Sequence, residues 1–138
     1  MKILSGVLIE DEEGRILCGV RNAPDKPFNG LLAVPWREAD IGEDPFETAH
    51  RACWCELDDQ EPDIQPISAC TEDSPIANEY RLFLFRANQL PYRPFAIDLS
   101  SRGQTEMSQL EWLTPAQIRS RGMVVPALLT ILDHFYPQ

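Results

Sequence analysis

The stretch that decides the fold spans residues 37–59 and reads READIGEDPFETAHRACWCELDD. Asp44 is a residue type that caps helices, Pro45 suits the first helical position, and Glu47 stands where a capping box needs an acid. Residues then recur at intervals of three and four along one side: Phe46, Ala49, His50, Cys53 and Leu57. The pattern predicts a helix from residue 45 to about residue 57, with this side against a core. The opposite flank carries Ala52, Cys55 and Glu56.

The spacing resembles the Nudix box, whose pattern is G-x5-E-x7-R-E-U-x-E-E-x-G-U, where U is an aliphatic residue. In the register that fits, the pattern is kept by Glu43, Arg51, Cys53 in the apolar slot and Glu56 as the last glutamate. Other positions depart from it: Trp36 and Arg37 replace glycines, Ala52 and Cys55 replace two metal-binding glutamates, and Asp58 replaces the closing glycine. Because glycine permits positive φ and close approach to a ligand, we expect a reshaped loop at Trp36 and Arg37, with the indole in the cleft.

The departures bear on metal binding. Residues at i, i+3 and i+4 share a helix face, so acids at positions 52, 55 and 56 would form one oxygen cluster for a hard divalent cation. Only Glu56 supplies a carboxylate here, and Cys55 offers a soft thiolate that Mg2+ and Mn2+ disfavour. Mg2+ often uses one or two carboxylates and completes its shell with water and substrate phosphate. Glu56 alone therefore leaves metal binding open but argues against a preformed site.

Composition predicts one globular domain, since 138 residues with 43% hydrophobic and 25% charged side chains can bury a sizeable core. Twenty-two acids against twelve bases give a net charge of -10, which argues against polymeric nucleic acid and anionic membranes as partners. The sequence shows neither an apolar run of roughly 20 residues nor a signal-peptide pattern, so the expected location is the cytoplasm. The cysteines, Cys18, Cys53, Cys55 and Cys70, form no CxxC pair and are expected to be reduced and mostly buried.

Strand and helix patterns fill the rest of the chain. Residues 2–9 and 15–21, joined by an acidic turn that ends at Gly14, indicate a hairpin. Further strands are predicted at residues 64–71, 80–87 and 95–99, with loops at 22–29 and 88–94. Residues 30–35 resemble the short strand that leads into the Nudix box. Thr114 is expected to cap a short helix that begins at Pro115. A terminal helix is predicted at residues 124–136, with Leu128, Leu129, Ile131, Leu132 and Phe135 packed inward.

The segment Glu111-Trp112-Leu113-Thr114-Pro115 resembles the late Nudix segment in which a strand meets the next helix, so the resemblance covers most of the chain. It implies an α/β/α sandwich in which the box helix lies against a curved mixed sheet and the terminal helix covers the other side.

The resemblance also implies a set of site residues. Glu56 and Glu43 are the candidate catalytic carboxylates, and the candidate ligands for Mg2+ or Mn2+ are Glu56, Glu43 and Glu111. Glu47 and Glu106 are further acids that could assist. The candidate substrate-binding residues are Arg21, Trp36, Arg37, Arg51 and Arg81.

Structural explanations stand beside these roles. Arg21 could equally be a strand-end arginine in solvent, and for Arg81 a surface salt bridge is the favoured explanation. Arg51 could pair with Glu43 to tie the loop to the helix and with Glu47 one turn away, which would account for these residues without any chemistry.

Two functions follow from these residues. The favoured one is a Nudix-fold protein with weak or absent hydrolase activity that binds a nucleotide or a partner and needs no cofactor. The alternative is an active Mg2+- or Mn2+-dependent Nudix pyrophosphohydrolase, in which water attacks a phosphorus of a nucleoside diphosphate derivative. The loss of two of three clustered acids favours the first. The resemblance also makes a homodimer an expectation.

Overall fold

The structure is a computed structural model and describes residues 2–25, 28–56, 63–66, 80–87 and 107–138. The strands in these ranges are β1 (Lys2–Ile9), β2 (Ile16–Arg21), β3 (Leu32–Ala33), β4 (Trp36–Glu38), β5 (Gln65–Pro66), β6 (Tyr80–Ala87) and β7 (Met107–Leu113). The helices are α1 (Pro45–Glu56), α2 (Pro115–Ser120) and α3 (Pro126–Phe135).

The strands form two sheets. The mixed sheet has the order β4-β1-β6-β5, with β1 parallel to β6 and antiparallel to β4. The second sheet has the order β3-β2-β7 and is antiparallel. Successive side chains of a strand point to opposite faces, so β1 contributes to two cores. Val7 and Ile9 pack on the side of α1, and Leu4 and Leu8 pack on the side of α3. The predicted mixed α/β class, with helices on both faces, is confirmed.

The predicted hairpin of the first two strands needs correction. Its turn is present, because the amide of Asp11 donates to the carbonyl of Arg15 at 2.9 Å and Gly14 adopts a φ of 76°. Beyond the single bridge between Glu10 and Ile16, however, the strands separate into different sheets. β1 lies between β4 and β6, and β2 lies between β3 and β7. Neither strand therefore has an edge left for the other.

Helix α1 begins where the sequence predicts, through a reciprocal capping box. The amide of Glu47 donates to Oδ1 of Asp44 at 2.8 Å, and the amide of Asp44 donates to Oε1 of Glu47 at 3.3 Å.

The predicted faces of α1 are only half right. Ala49 and Cys53 are fully buried, as expected, but Phe46 is 46% exposed. The flank assigned to the opposite side is buried as well, as Ala52, Cys55 and Glu56 show. Because α1 packs against β4 as well as β1, a second flank of the helix is covered.

The last two helices, α2 and α3, occur near the positions that the sequence predicts. The hydroxyl of Thr114 accepts from the amide of Gln117 at 3.1 Å, which completes a second capping box at α2. Helix α3 is shorter than predicted, and Leu129 is 37% exposed rather than packed inward. None of the helices in the described residues is long and apolar enough to cross a membrane.

The thiols that the structure describes match their expectation. Cys18, Cys53 and Cys55 are free and buried, and burial raises the pKa of Cys18 and of Cys53 to about 12.

Several sequence predictions fall beyond the described residues. They concern Leu57, Asp58, Cys70 and Glu106, most of the strand at 64–71, the loop at 88–94 and the strand at 95–99.

Candidate functional site

Strand β4 and helix α1 bring Arg37 and Glu56 together. Arg37 pairs with Ser5 of β1, whose hydroxyl donates to the carbonyl of Pro45 at the start of α1, so both side chains point toward the helix. Nη2 of Arg37 donates to Oε1 of Glu56 at 2.8 Å. The Glu56 side chain is fully buried and that of Arg37 is 11% exposed. Glu56 is thus held in a buried ion pair with Arg37.

The neighbours of Glu56 on α1 add no oxygen ligands. Ala52 is fully buried and Cys55 is 7% exposed, and neither carries a carboxylate. Among the described residues, no group of three or more His, Cys, Asp and Glu side chains could hold a metal ion. A single carboxylate that already binds a guanidinium, next to a thiol, is a poor donor set for a hard divalent cation. The described residues therefore do not fit the Mg2+ or Mn2+ that the Nudix resemblance implies.

Glu43 and Arg51 form a second ion pair, which ties the loop before α1 to the helix. Nε of Arg51 donates to Oε2 of Glu43 at 2.9 Å, and Nη2 donates to Oε1 at 3.0 Å. Oε1 also accepts from the hydroxyl of Thr48 at 2.8 Å and from the amide of Asp40 at 3.0 Å. Arg51 reaches the carbonyl of Glu38 on β4 at 2.6 Å.

These contacts shift both ionisation equilibria toward the charged forms. The hydrogen bond from Arg51 is the largest cause that lowers the pKa of Glu43, which falls to about 2, and the same bond raises the pKa of Arg51. Glu47, expected as a further partner of Arg51, instead caps the helix. The geometry therefore agrees with the structural explanation, in which Arg51 and Glu43 tie the loop to the helix.

Arg21, Phe28 and Trp36 meet on the other side of β4. Trp36 pairs with Gly6 of β1, one position from Arg37, and its side chain joins the core on the side of α3. The guanidinium carbon of Arg21 lies 4.8 Å from the centroid of the indole, and the Phe28 ring lies 5.5 Å from it. Arg21 is only 5% exposed, so the explanation of a strand-end arginine in solvent is wrong. Phe28 falls in a predicted loop, and no motif in the sequence marks it as a site residue.

Trp36 and Arg37 fit their positions without positive φ. Both lie in the extended strand β4, and among the described residues Phe28 is the only non-glycine residue with positive φ, at 66°. These two residues, at which we expected a reshaped loop, therefore lie in a strand.

The remaining candidates are not brought to Glu56. Both carboxylate oxygens of Glu111 accept from Nη2 of Arg121, at 3.0 and 3.1 Å. Leu110 and Trp112 pack on the side of α1 whereas Leu113 packs on the side of α3, so Glu111 projects away from α1. The side chain of Arg81 and the whole of Glu106 lie outside the part of the chain that the structure describes.

The layers and the strand order define the chain as a mixed α/β sandwich, and comparison with known proteins refines that class. No protein-family model and no curated protein sequence matches the chain. Solved structures do match. The MutT Nudix hydrolase of Burkholderia pseudomallei is similar over 97% of each chain, with a TM-score of 0.75 and 18% identity. The E. coli ORF135 protein is similar over 98% of this chain and 88% of its own, with a TM-score of 0.72 and 18% identity.

A third similar structure contains a ligand. The Nudix domain of Shewanella oneidensis NrtR, solved in complex with ADP ribose, matches 96% of this chain and 84% of its own, with a TM-score of 0.69 and 15% identity. The chain has the fold of the Nudix hydrolases, and at these identities the likeness establishes the fold alone.

Proposed function

We propose that this Nudix-fold protein binds a nucleoside diphosphate derivative and has little or no metal-dependent hydrolase activity. The observation that carries the proposal is the buried ion pair between Arg37 and Glu56, at 2.8 Å. The only carboxylate left among the three clustered acid positions is occupied by a guanidinium.

A divalent cation at this carboxylate would have to displace or approach Arg37. Two unit positive charges about 4 Å apart repel each other by about 4 kcal/mol at the effective dielectric constant near a protein surface. The repulsion is stronger when one of the ions is doubly charged. Mg2+ also demands near-octahedral oxygen ligands, which Ala52 and Cys55 do not supply. Charge and donor chemistry both oppose a metal beside Glu56.

Support for a nucleotide derivative comes from the fold and from one neighbour. The NrtR domain was solved with ADP ribose, and the present chain shares that fold. A buried arginine at the end of β2 provides a cation next to an aromatic surface, which suits a phosphate-bearing ligand. Location in the cytoplasm and the homodimer stay predictions.

Hydrolysis assays test the catalytic half of the proposal. Wild type and Glu56→Gln would be incubated with sugar nucleotides, ADP-ribose, dinucleoside polyphosphates and nucleoside triphosphates in Mg2+ or Mn2+, and product would be measured by chromatography. We expect no turnover that distinguishes the two proteins. Metal-dependent turnover by wild type that collapses in Glu56→Gln would instead establish the alternative, an active pyrophosphohydrolase.

A variant with restored acids tests the proposed reason for little or no activity. The variant Arg37→Gly/Ala52→Glu/Cys55→Glu removes the guanidinium and supplies two carboxylates. Mn2+ binding, followed by electron paramagnetic resonance, is expected for this variant and not for wild type. Arg37→Gly alone is the matched control, and circular dichroism establishes that each variant folds. Equal Mn2+ binding by wild type and the reconstructed protein would contradict the proposed effect of the ion pair.

A further inference from the structure

Trp36 carries a buried donor without an acceptor. The residue is 5% exposed, and among the described residues no group accepts a hydrogen bond from its Nε1. A buried N–H without a partner is costly, and native proteins rarely leave one in place unless water, an ion or a ligand completes it. The indole is therefore a candidate contact for a group that the described residues do not provide.

The surroundings of the indole favour a negatively charged acceptor. The guanidinium of Arg21 lies over the ring, with 4.8 Å between its central carbon and the ring centroid, and Arg21 is itself 5% exposed. The guanidinium places a positive group over the ring that carries the N–H, and hydrogen bonds from an N–H to an anionic oxygen are among the stronger ones. An oxygen of a phosphoryl group has the matching negative charge.

The indole is also held in position by a strained residue. Phe28 adopts a φ of 66°, in the left-handed region, which is uncommon for a bulky side chain, and its ring packs at 48° to the indole plane. The amide of Ala23 donates to Oδ1 of Asn29 at 2.9 Å and closes the loop that carries Phe28. Backbone strain of this kind persists where the surrounding structure enforces it, and it is concentrated at ligand sites.

We infer that Nε1 of Trp36 donates a hydrogen bond to a phosphoryl oxygen of the bound ligand, with Arg21 supplying positive charge beside it. The inference rests on the proposed nucleoside diphosphate ligand and adds the residue that recognises its phosphate. Trp36 and Arg37 are adjacent in β4 and point to opposite faces, so this contact needs neither Glu56 nor a divalent cation.

The indole N–H resonances of the protein test the inference directly. The chain has three tryptophans, and Trp36→Phe assigns one resonance in a 15N-edited spectrum. Inorganic pyrophosphate, ADP-ribose and adenosine would be titrated separately in metal-free buffer. We expect the Trp36 resonance to move downfield and saturate with pyrophosphate and ADP-ribose and to stay in place with adenosine.

Affinity measurements give the second readout. Because hydrogen bonds to charged groups are among the stronger ones, Trp36→Phe is expected to weaken ADP-ribose binding by about tenfold or more. Trp54→Phe is the matched control, since Trp54 is 41% exposed on α1, and its affinity should equal that of wild type.

The outcomes separate this inference from the function on which it rests. If ADP-ribose binds with unchanged affinity in Trp36→Phe, or if the Trp36 resonance of wild type does not move while others do, the phosphoryl contact is wrong and the proposed ligand class stands. A Trp36 shift with adenosine alone would assign the acceptor to the base and overturn the inference. If no probe binds, the proposed ligand class and the inference both fail.

Discussion

Replacing Arg37 by methionine removes the guanidinium while keeping much of the side-chain volume, and leaves the Glu56 carboxylate in its buried position. The Glu56 side chain is fully buried, and Arg37 is 11% exposed. Breaking a buried ion pair by removing one partner costs about 3–5 kcal/mol, because the remaining buried charge loses the opposite charge beside it in a medium of low dielectric. We therefore expect Arg37→Met to lower the free energy of unfolding at pH 7 by about 3–5 kcal/mol.

A loss of this size is easy to measure. In a domain of 138 residues each kcal/mol corresponds to roughly 3–4 °C in Tm, so the variant should melt about 10–20 °C below wild type. Urea unfolding followed by tryptophan fluorescence gives the free energy, and circular dichroism gives Tm. Arg121→Met is the matched control, since Arg121 also pairs with a glutamate but is 40% exposed, and its loss should cost less than about 1 kcal/mol.

The double variant Arg37→Met/Glu56→Leu completes the test. Exchanging both members of a buried pair for apolar residues is often neutral or stabilising, so the double variant should recover most of the lost free energy of unfolding. If Arg37→Met costs no more than the Arg121→Met control, or if the double variant is as unstable as the single one, the ion pair is not the compensated buried charge that we describe.

Three further predictions concern stability and share urea unfolding as the assay. Arg51 holds the pKa of Glu43 near 2, below its usual 4.5, so this carboxylate stabilises the fold above about pH 4.5 and the gain is lost as pH falls toward 2. Glu43→Gln should be less stable than wild type at pH 7, with a smaller difference at pH 2.5; an equal difference at both values would refute this. Asp44→Ala removes the cap of α1 and should cost about 1 kcal/mol, and an unchanged urea midpoint would rule that cap out as a contributor. Gly19→Ala places a Cβ 3.0 Å from the carbonyl oxygen of Ser108, so we expect a loss of about 1–3 kcal/mol, and wild-type stability would show that the strands yield.

Local signals explain why the sequence predicts α1 so well. The contacts that start the helix join Asp44 and Glu47, three residues apart, and depend on nothing else in the fold. The burial of two flanks of α1 depends on the rest of the fold. Ala52 and Glu56 are buried because β4 lies beside the helix, and no periodicity within α1 encodes the position of β4. An amphipathic pattern indicates one buried face and does not exclude a second.

Long-range pairing limits the rest of the prediction. The turn at Gly14 correctly indicates a reversal of the chain, but β1 pairs with β6 along its whole length, and Lys2 is opposite Tyr80. That pairing is invisible in local sequence and displaces the expected hairpin. Arg37 and Glu56 were each identified as site candidates, yet their contact spans 19 residues and requires β4 and α1 to be in place. Strand alternation then sends neighbouring Trp36 to the opposite face.

The residues at positions 37, 52, 55 and 56 are consistent with one another in charge. Carboxylates at positions 52, 55 and 56 would place three negative charges on one helix face, a set that is stable only beside a cation. Here Ala52 and Cys55 remove two of those charges, and Arg37 supplies one positive charge to the third at 2.8 Å. The pair of Arg37 and Glu56 is therefore neutral without any added ion. An arginine in this position would be unfavourable beside a bound divalent cation, whereas a glycine would leave the buried Glu56 without this ion pair. The guanidinium thus supplies a positive charge beside Glu56, and it offers no Lewis acid to a phosphoryl group.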